Sequence, residues 1–210
     1  MELGISTNAG AVAIRFREAG PVMARHVLQA MRDIGLHLQG VVRRDKLRGQ
    51  ALNTRTGTLG RAIFSRVEVI GTQEIQTRVG ADLAKAAYGR IQELGGTIRP
   101  KRARHLAIPI GAALTASGVA RMSARQFIQN PAALGFAGSF VSRSGRAIMG
   151  VRSGRGAGVE PVFALANQVT LKPRRYLSSA LDEQRGWILQ RIGVAAQAGI
   201  QEVAGAGPHG

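Results

Sequence analysis

The sequence predicts an α+β protein: a small, mainly antiparallel sheet packed by a long N-terminal helix, a short middle helix and a long C-terminal helix, with one long basic insertion. Three observations lead there. Apolar residues recur at three- and four-residue steps towards both ends of the chain. Between them, short runs of apolar and β-branched residues alternate with polar ones. Residues 111–160 follow neither period and are rich in Gly, Ser, Ala and Arg. The expected organisation is a single domain over 1–210, with 111–160 as an insertion between two core strands; loops of that length are usually functional or disordered.

The elements follow in order. Residues 17–50 form the long first helix: Pro21 suits a first helical position, and Val22, Met23, Val27, Ala30, Met31, Ile34, Leu38, Val41 and Val42 recur on one side. Gly35 and Gly40 weaken it, each by about 1 kcal/mol relative to Ala. The stretch "RTGTLGR" (55–61) is a breaker. Residues 62–82 then make two strands joined at Gly71, with Ile63, Val67 and Val69 on one face and Ile75 and Val79 alternating likewise on return. Leu83 to Leu94 is a short helix stopped by Gly95-Gly96. A strand through Leu106, Ile108 and Ile110 follows. Inside the insertion, Ser123 caps a short helix in "MSARQFIQ", and "FVSRSGRAIMGV" (140–151) is a hairpin turning at Ser144-Gly145. "PVFALANQVTLKP" (161–173) is a strand interrupted at Asn167. The last helix runs from near Tyr176 to about Val203, with Leu177, Leu181, Ile188, Ile192 and Ala195 as its apolar stripe, and the "GAGPHG" tail frays.

Composition narrows the class. Forty-five per cent hydrophobic content and a mean hydropathy of +0.00 describe a chain that folds. Aromatics make up 4%, so the core is built mainly of Ala, Val, Leu and Ile. The absence of cysteine excludes disulfides and thiolate metal sites. No run approaches the roughly 18 apolar residues of a membrane span, and "MELGISTNAGAVAIRFREAG" is wrongly charged for a signal peptide. Manufacture in the cytoplasm, with no membrane partner, is the expectation.

Charge is the loudest signal, at +17. From Arg99 to Arg175 there are 13 Lys and Arg against one acid, Glu160, whereas the remainder holds 16 basic and 11 acidic residues. Such a field attracts polyanions, whether nucleic acid or an acidic protein surface.

Catalytic signatures are missing. The four histidines, His26, His37, His105 and His209, make no metal-ligand spacing. "GRGAG" (154–158) shares only its glycines with phosphate-binding loops, and no GxxxxGK[ST] or GxSxG occurs. The expectation is no enzyme, no cofactor and no metal. The candidate functional residues are cations: Arg99, Lys101, Arg102 and Arg104 in "TIRPKRARH", Arg143, Arg146, Arg152 and Arg155 in the insertion, and Arg174 and Arg175 before the last helix. Composition leaves three readings open for them. They are a solvated rim that discourages edge-to-edge aggregation, a protein interface clamping carboxylates, or a sequence-blind phosphate contact. The last lacks interleaved aromatics and any docking motif.

A resemblance enters here. "YGRIQELGGTIRPKRARHLAIPI" (88–110) resembles a phage morphogenesis pattern, carried by Glu93, Gly95, Gly96, Ile98, Pro100, Lys101, Arg104, Leu106, Ile108 and Pro109. "PVFALANQVTLKPRRYLSSALDE" (161–183) is similar to the same family's closing signature at Val169, Thr170, Leu171, Pro173, Arg174, Tyr176 and Leu177. "TGTLGRAI" (56–63) fits its opening. The family is that of the tail-terminator and tail-completion proteins of long-tailed phages, including the virion morphogenesis proteins of Mu-like phages. The resemblance implies a non-enzymatic ring, commonly a hexamer, at the neck where tail tube meets head connector. Its partners would be copies of itself, the tail tube protein, a head-side connector or head-closure protein, and DNA in the channel without sequence specificity. Its place would be the virion neck, after assembly in the host cytoplasm. The long 111–160 insertion and long last helix depart from the family pattern. The alternative is a sequence-independent DNA-binding protein acting in packaging or head completion.

Overall fold

The structure, a computed structural model, describes residues 3–8, 11–16, 20–53, 55–70, 74–154 and 158–205. It is α+β, with helices and small antiparallel sheets. The chain divides into two compact units, Met1–Gly95 with Pro173–Gly210, and Gly96–Lys172. The stretch expected as a 111–160 insertion is the larger part of the second unit, and it has regular elements and a core of its own.

Unit 1 is a four-stranded antiparallel sheet in the order β1-β2-β4-β3, formed by β1 (Leu3–Asn8), β2 (Ala11–Phe16), β3 (Ile63–Ile70) and β4 (Glu74–Ala81). The N-terminal hairpin was not anticipated. Its two strands are short and Gly- and Ala-containing, with no strong alternation, and pairing with β4 is what completes them. Helix α1 (Pro21–Val41) packs on β3 and β4 and on the long last helix, α5 (Ser178–Gly205). The expected helix over 17–50 is therefore shorter: residues 17–19 lie outside the described residues, and after Val41 the chain relaxes into one π turn, Val42–Lys46. The core joins Val27, Met31, Ile34 and Leu38 of α1 to Ile63, Ile75 and Val79 of the sheet and to Leu181, Ile188 and Ile192 of α5. The predicted stripe of the last helix is thus the one buried, except that Leu177 precedes the helix. Val69, expected on the inner face, is 59% exposed although its cross-strand partner Ile75 is buried, because β3 is the edge strand of the sheet.

Two local corrections have clear causes. The breaker at 55–61 contains a one-turn helix, α2 (Thr58–Ala62), entered through Gly57 at φ +71°. The helix expected over 83–94 is confined to α3 (Gly89–Leu94), because the Asp82 carboxylate accepts the Ala84 N–H at 3.0 Å and holds the next residues in turns. Gly71 lies outside the described residues, as do residues 206–210 of the tail.

Unit 2 begins and ends with a two-stranded ribbon, β5 (Gly96–Ile98) against β10 (Val169–Leu171). Within it lies a second four-stranded antiparallel sheet, β6 (Leu106–Pro109), β9 (Val159–Ala166), β8 (Ala147–Val151) and β7 (Gly138–Val141), in that order. The expected single strand at 161–173 is two strands of different sheets, broken at Asn167 where the sequence marked an interruption. The hairpin at 140–151 forms as expected, with Gly145 at φ +67° in its turn. Helix α4 (Ala124–Gln129) has Ser123 as its cap in a reciprocal capping box with Gln126. Phe127 of α4 and Phe136 cover one face of this sheet, their rings 5.6 Å apart and edge-on, with Phe163 also against Phe127. Gly150 is required there: a Cβ would stand 2.5 Å from the Phe136 ring.

Candidate functional site

The cations predicted from sequence fall into three places. The first is one end of the unit 2 sheet. Residues Lys101, Arg102 and Arg104 are exposed on a bent loop held at both ends. At the near end Arg99 Nε donates to Gln168 Oε1 at 3.2 Å; at the far end His105 Nδ1 lies 2.8 Å from Asn167 Oδ1. The Thr97 and Thr170 hydroxyls, 3.0 Å apart, tie the ribbon below it. Because β6 pairs with β9 from Leu106↔Ala166, this loop sits at the C-terminal end of β9. The β7–β8 turn reaches the same end, since Ala147 pairs with Ala164 and the Leu165 N–H donates to the Arg146 carbonyl at 2.7 Å. Arg143 and Arg146, both exposed in that turn, therefore join a group from some 40 residues earlier in the chain. The topology assembles a six-cation end from two segments.

The second place is the opposite end. Arg152 follows β8 and turns to the covered face, where its guanidinium lies 4.8 Å from the Phe136 ring centre and donates to Glu160 Oε1 at 2.8 Å. Unit 2 contains eleven Lys and Arg and a single carboxylate, Glu160. Arg152 takes that carboxylate, so it serves the fold of the unit and the other cations are left without an acid in their own unit. Arg155 lies outside the described residues.

The third place belongs to unit 1. Arg174 and Arg175 lead into α5, their backbone N–H groups donating to the Gln92 and Glu93 carbonyls at 2.8 and 3.2 Å. These two bonds hold Arg175 in the left-handed region, φ +49°, a conformation that costs a non-glycine residue about 1 kcal/mol or more. Its guanidinium lies 3.0 Å from Asp182 Oδ2. Arg174 and Arg175 are thus part of a helix entry within unit 1.

Beside them lies the polar constellation that sequence reasoning did not assign a role. Glu93 is buried, and its carboxylate accepts the Leu177 N–H at 2.8 Å, the Ser178 N–H at 3.0 Å and the Ser178 hydroxyl at 2.6 Å. A carboxylate at a helix N-terminus satisfies orphan donors and meets the positive end of the dipole. Tyr176, 1% exposed, donates its hydroxyl to the Gly89 carbonyl at 3.3 Å. Burial, reinforced by the Glu93 carboxylate, pushes the phenol well above its ordinary range and keeps it neutral. The signal was available: Glu93 and Tyr176-Leu177 both belong to the motifs quoted above, whose meeting in space one-dimensional spacing does not express.

Along the α1–α5 seam run further ion pairs, Lys46 with Glu183, Arg191 with Asp33 and Arg25 with Glu202, and His26 is hydrogen-bonded to Glu202. His37 stacks on Trp187 with ring centres 4.0 Å apart and reaches Gln184 Oε1. Each of these groups is engaged between helices. Among the described residues no group of three or more His, Asp or Glu is arranged to hold a metal, and no helix is long and apolar enough to cross a membrane. An apolar cleft between Leu38, Val42, Val79, Leu177, Ala180 and Leu181 has a volume of about 10 Å³, room for no more than a water.

No protein family, curated protein or solved structure matches the chain. The resemblance described above rests on its motifs alone.

Proposed function

We propose that the chain is a structural, non-enzymatic subunit of a phage neck, closing as a ring of about six copies at the head–tail junction, where it terminates or completes the tail tube and helps join tail to head. The observation that carries this reading is the meeting of two motif segments far apart in sequence. Glu93 and Gly89 of the first are bonded to Ser178, Leu177 and Tyr176 of the second, and Gly96–Ile98 pairs with Val169–Leu171. Residues that match one family's pattern are those on which this junction depends. Ring closure uses two unlike patches repeated about an axis. Because unit 2 carries ten of the seventeen net positive charges while unit 1 holds eleven of the twelve acids, the ring contacts belong to unit 1, while the cationic end of unit 2 is kept for a neighbour of opposite sign or for the lumen.

Light scattering on the purified protein, at low and high salt, tests the ring. A discrete species near six times 22.2 kDa is expected. Reversal of charge at Arg102 and Arg104 tests the role: the monomer should fold normally while the joining of heads to tails fails. A protein that stays monomeric even with tail tubes, together with fully infectious particles from that double variant, would overturn the proposal.

The six-cation end also supports a second reading, a sequence-independent DNA contact. It predicts binding whose log affinity falls linearly with log salt, with a slope of about −0.9 per phosphate neutralised. Absence of binding at low salt removes it.

A further inference from the structure

The sheet of unit 2 has two faces of opposite fate. One carries Ile148, Phe163 and Gly150 and is covered by Phe127 and Phe136. The registers put eleven strand positions on the other face, among them Ile108, Phe140, Ala147, Met149, Val159 and Pro161. Not one of the eleven is polar, and not one is buried. Ile108, Phe140 and Val159 are 37%, 46% and 50% exposed. An antiparallel sheet with one free face ordinarily alternates apolar inside with polar outside. This one is apolar on its uncovered side, and contiguous exposed apolar surface marks an interaction site.

We infer that this face docks an acidic segment of a different protein, its apolar side chains on Phe140, Met149 and Val159 and its carboxylates at the cationic end formed by Arg104, Arg143 and Arg146. Charge selects the occupant. A second copy of the unit would bring ten further net positive charges against the first, with one internally paired acid to offset them, and like-charge juxtaposition suppresses a wrong partner. Nucleic acid would use the arginines but would leave the apolar face without a complement, since phosphate contacts need donors and the face has no side-chain donor. An anionic segment with alternate apolar residues satisfies both halves. The inference stands on unit 2 alone, so failure of ring formation would not touch it.

The test uses the full chain and three synthetic peptides. One is four alternating Thr-Val pairs followed by four glutamates; the second replaces valine by serine; the third replaces the glutamates by lysines. A 12-base-pair DNA duplex is the fourth probe. Fluorescence anisotropy should show the first peptide binding at least tenfold tighter than either other peptide. Phe140→Ser and the paired reversal Arg143→Glu with Arg146→Glu should each weaken it at least tenfold, with unchanged circular dichroism. Val159→Thr, which keeps strand propensity, should weaken it severalfold and serves where Phe140→Ser fails to fold. Equal binding of the serine peptide, tighter binding of the duplex, unaltered binding by both apolar variants, or no binding by any peptide would overturn the inference. So would self-association abolished by Phe140→Ser, which would make the occupant a second copy.

Discussion

The carboxylate of Glu93 and the N–H of Ser178 lie within 3.0 Å of each other although 85 residues separate them. That contact places the start of α5 against the end of α3. Removing the carboxylate strands the Leu177 and Ser178 donors in a half-buried site. Glu93→Ala should therefore lower stability by about 2–4 kcal/mol, a lost cap together with unsatisfied donors. Glu93→Gln, which keeps one acceptor oxygen, should lose less. Urea unfolding of the two variants checks the order.

Gly35 and Gly40 are both interior to α1, and propensity alone would stabilise alanine at each by about 1 kcal/mol. Their surroundings differ. A Cβ at Gly35 would stand 2.2 Å from Ser65 Oγ and 2.8 Å from Thr77 Cγ2, whereas at Gly40 the nearest atoms belong to the flexible Arg44 guanidinium at 3.8 Å. Thr77 cannot yield, because its hydroxyl donates to the Met31 carbonyl at 2.8 Å. Gly35→Ala should destabilise by about 1–3 kcal/mol and Gly40→Ala should stabilise by roughly 0.5–1 kcal/mol. Thermal melts of the pair should move in opposite directions.

Lys46 is buried in the π turn, and its partner Glu183 is more than half exposed. The asymmetry predicts unequal losses. Glu183→Ala leaves a buried ammonium without its counter-charge and should cost about 3 kcal/mol, while Lys46→Met, which fills the same space without charge, should change stability by less than about 1 kcal/mol. Chemical denaturation of both variants reads the difference.

Glu202 is held below the ordinary glutamate range first by its hydrogen bond with His26 and then by Arg25. A carboxyl whose folded pKa is depressed contributes stability that is full above its unfolded value, near pH 4.3, and is lost as pH falls through the lower folded one. Acidification below about pH 4.3 should therefore loosen the α1–α5 seam. Glu202→Gln should flatten that part of the stability profile, which a series of melts from pH 3 to 7 would show.

Much of the frame was legible in the sequence. The helical period of α1 and α5, the β3–β4 pair, the Ser123 cap and the Gly145 turn are local signals, and each was found where its chemistry stands. What escaped was non-local. The hairpin β1–β2 has little pattern of its own. Phe163 and Val169 read as one strand, yet Asn167 sends the chain from one sheet to another. The basic residues were visible as a list, but only the β6–β9 and β8–β9 registers show that Arg104 and Arg146 share an end of a sheet while Arg152 is spent on Glu160. Composition also hid the free apolar face, since both alternating sets of positions in β8 are apolar.

The chain leaves unit 1 at Gly95 and returns to it at Pro173. A ribosome releasing residues in order completes the Gly96–Lys172 unit while α1 still lacks α5 and Glu93 has nothing to cap. Domains made this way mature as units during synthesis. The inner unit can be finished first, whereas the outer one closes only after the final segment emerges. Until then Met31, Ile34 and Leu38 face an empty seam, so a nascent chain stalled after Lys172 would expose the surface most prone to capture by chaperones.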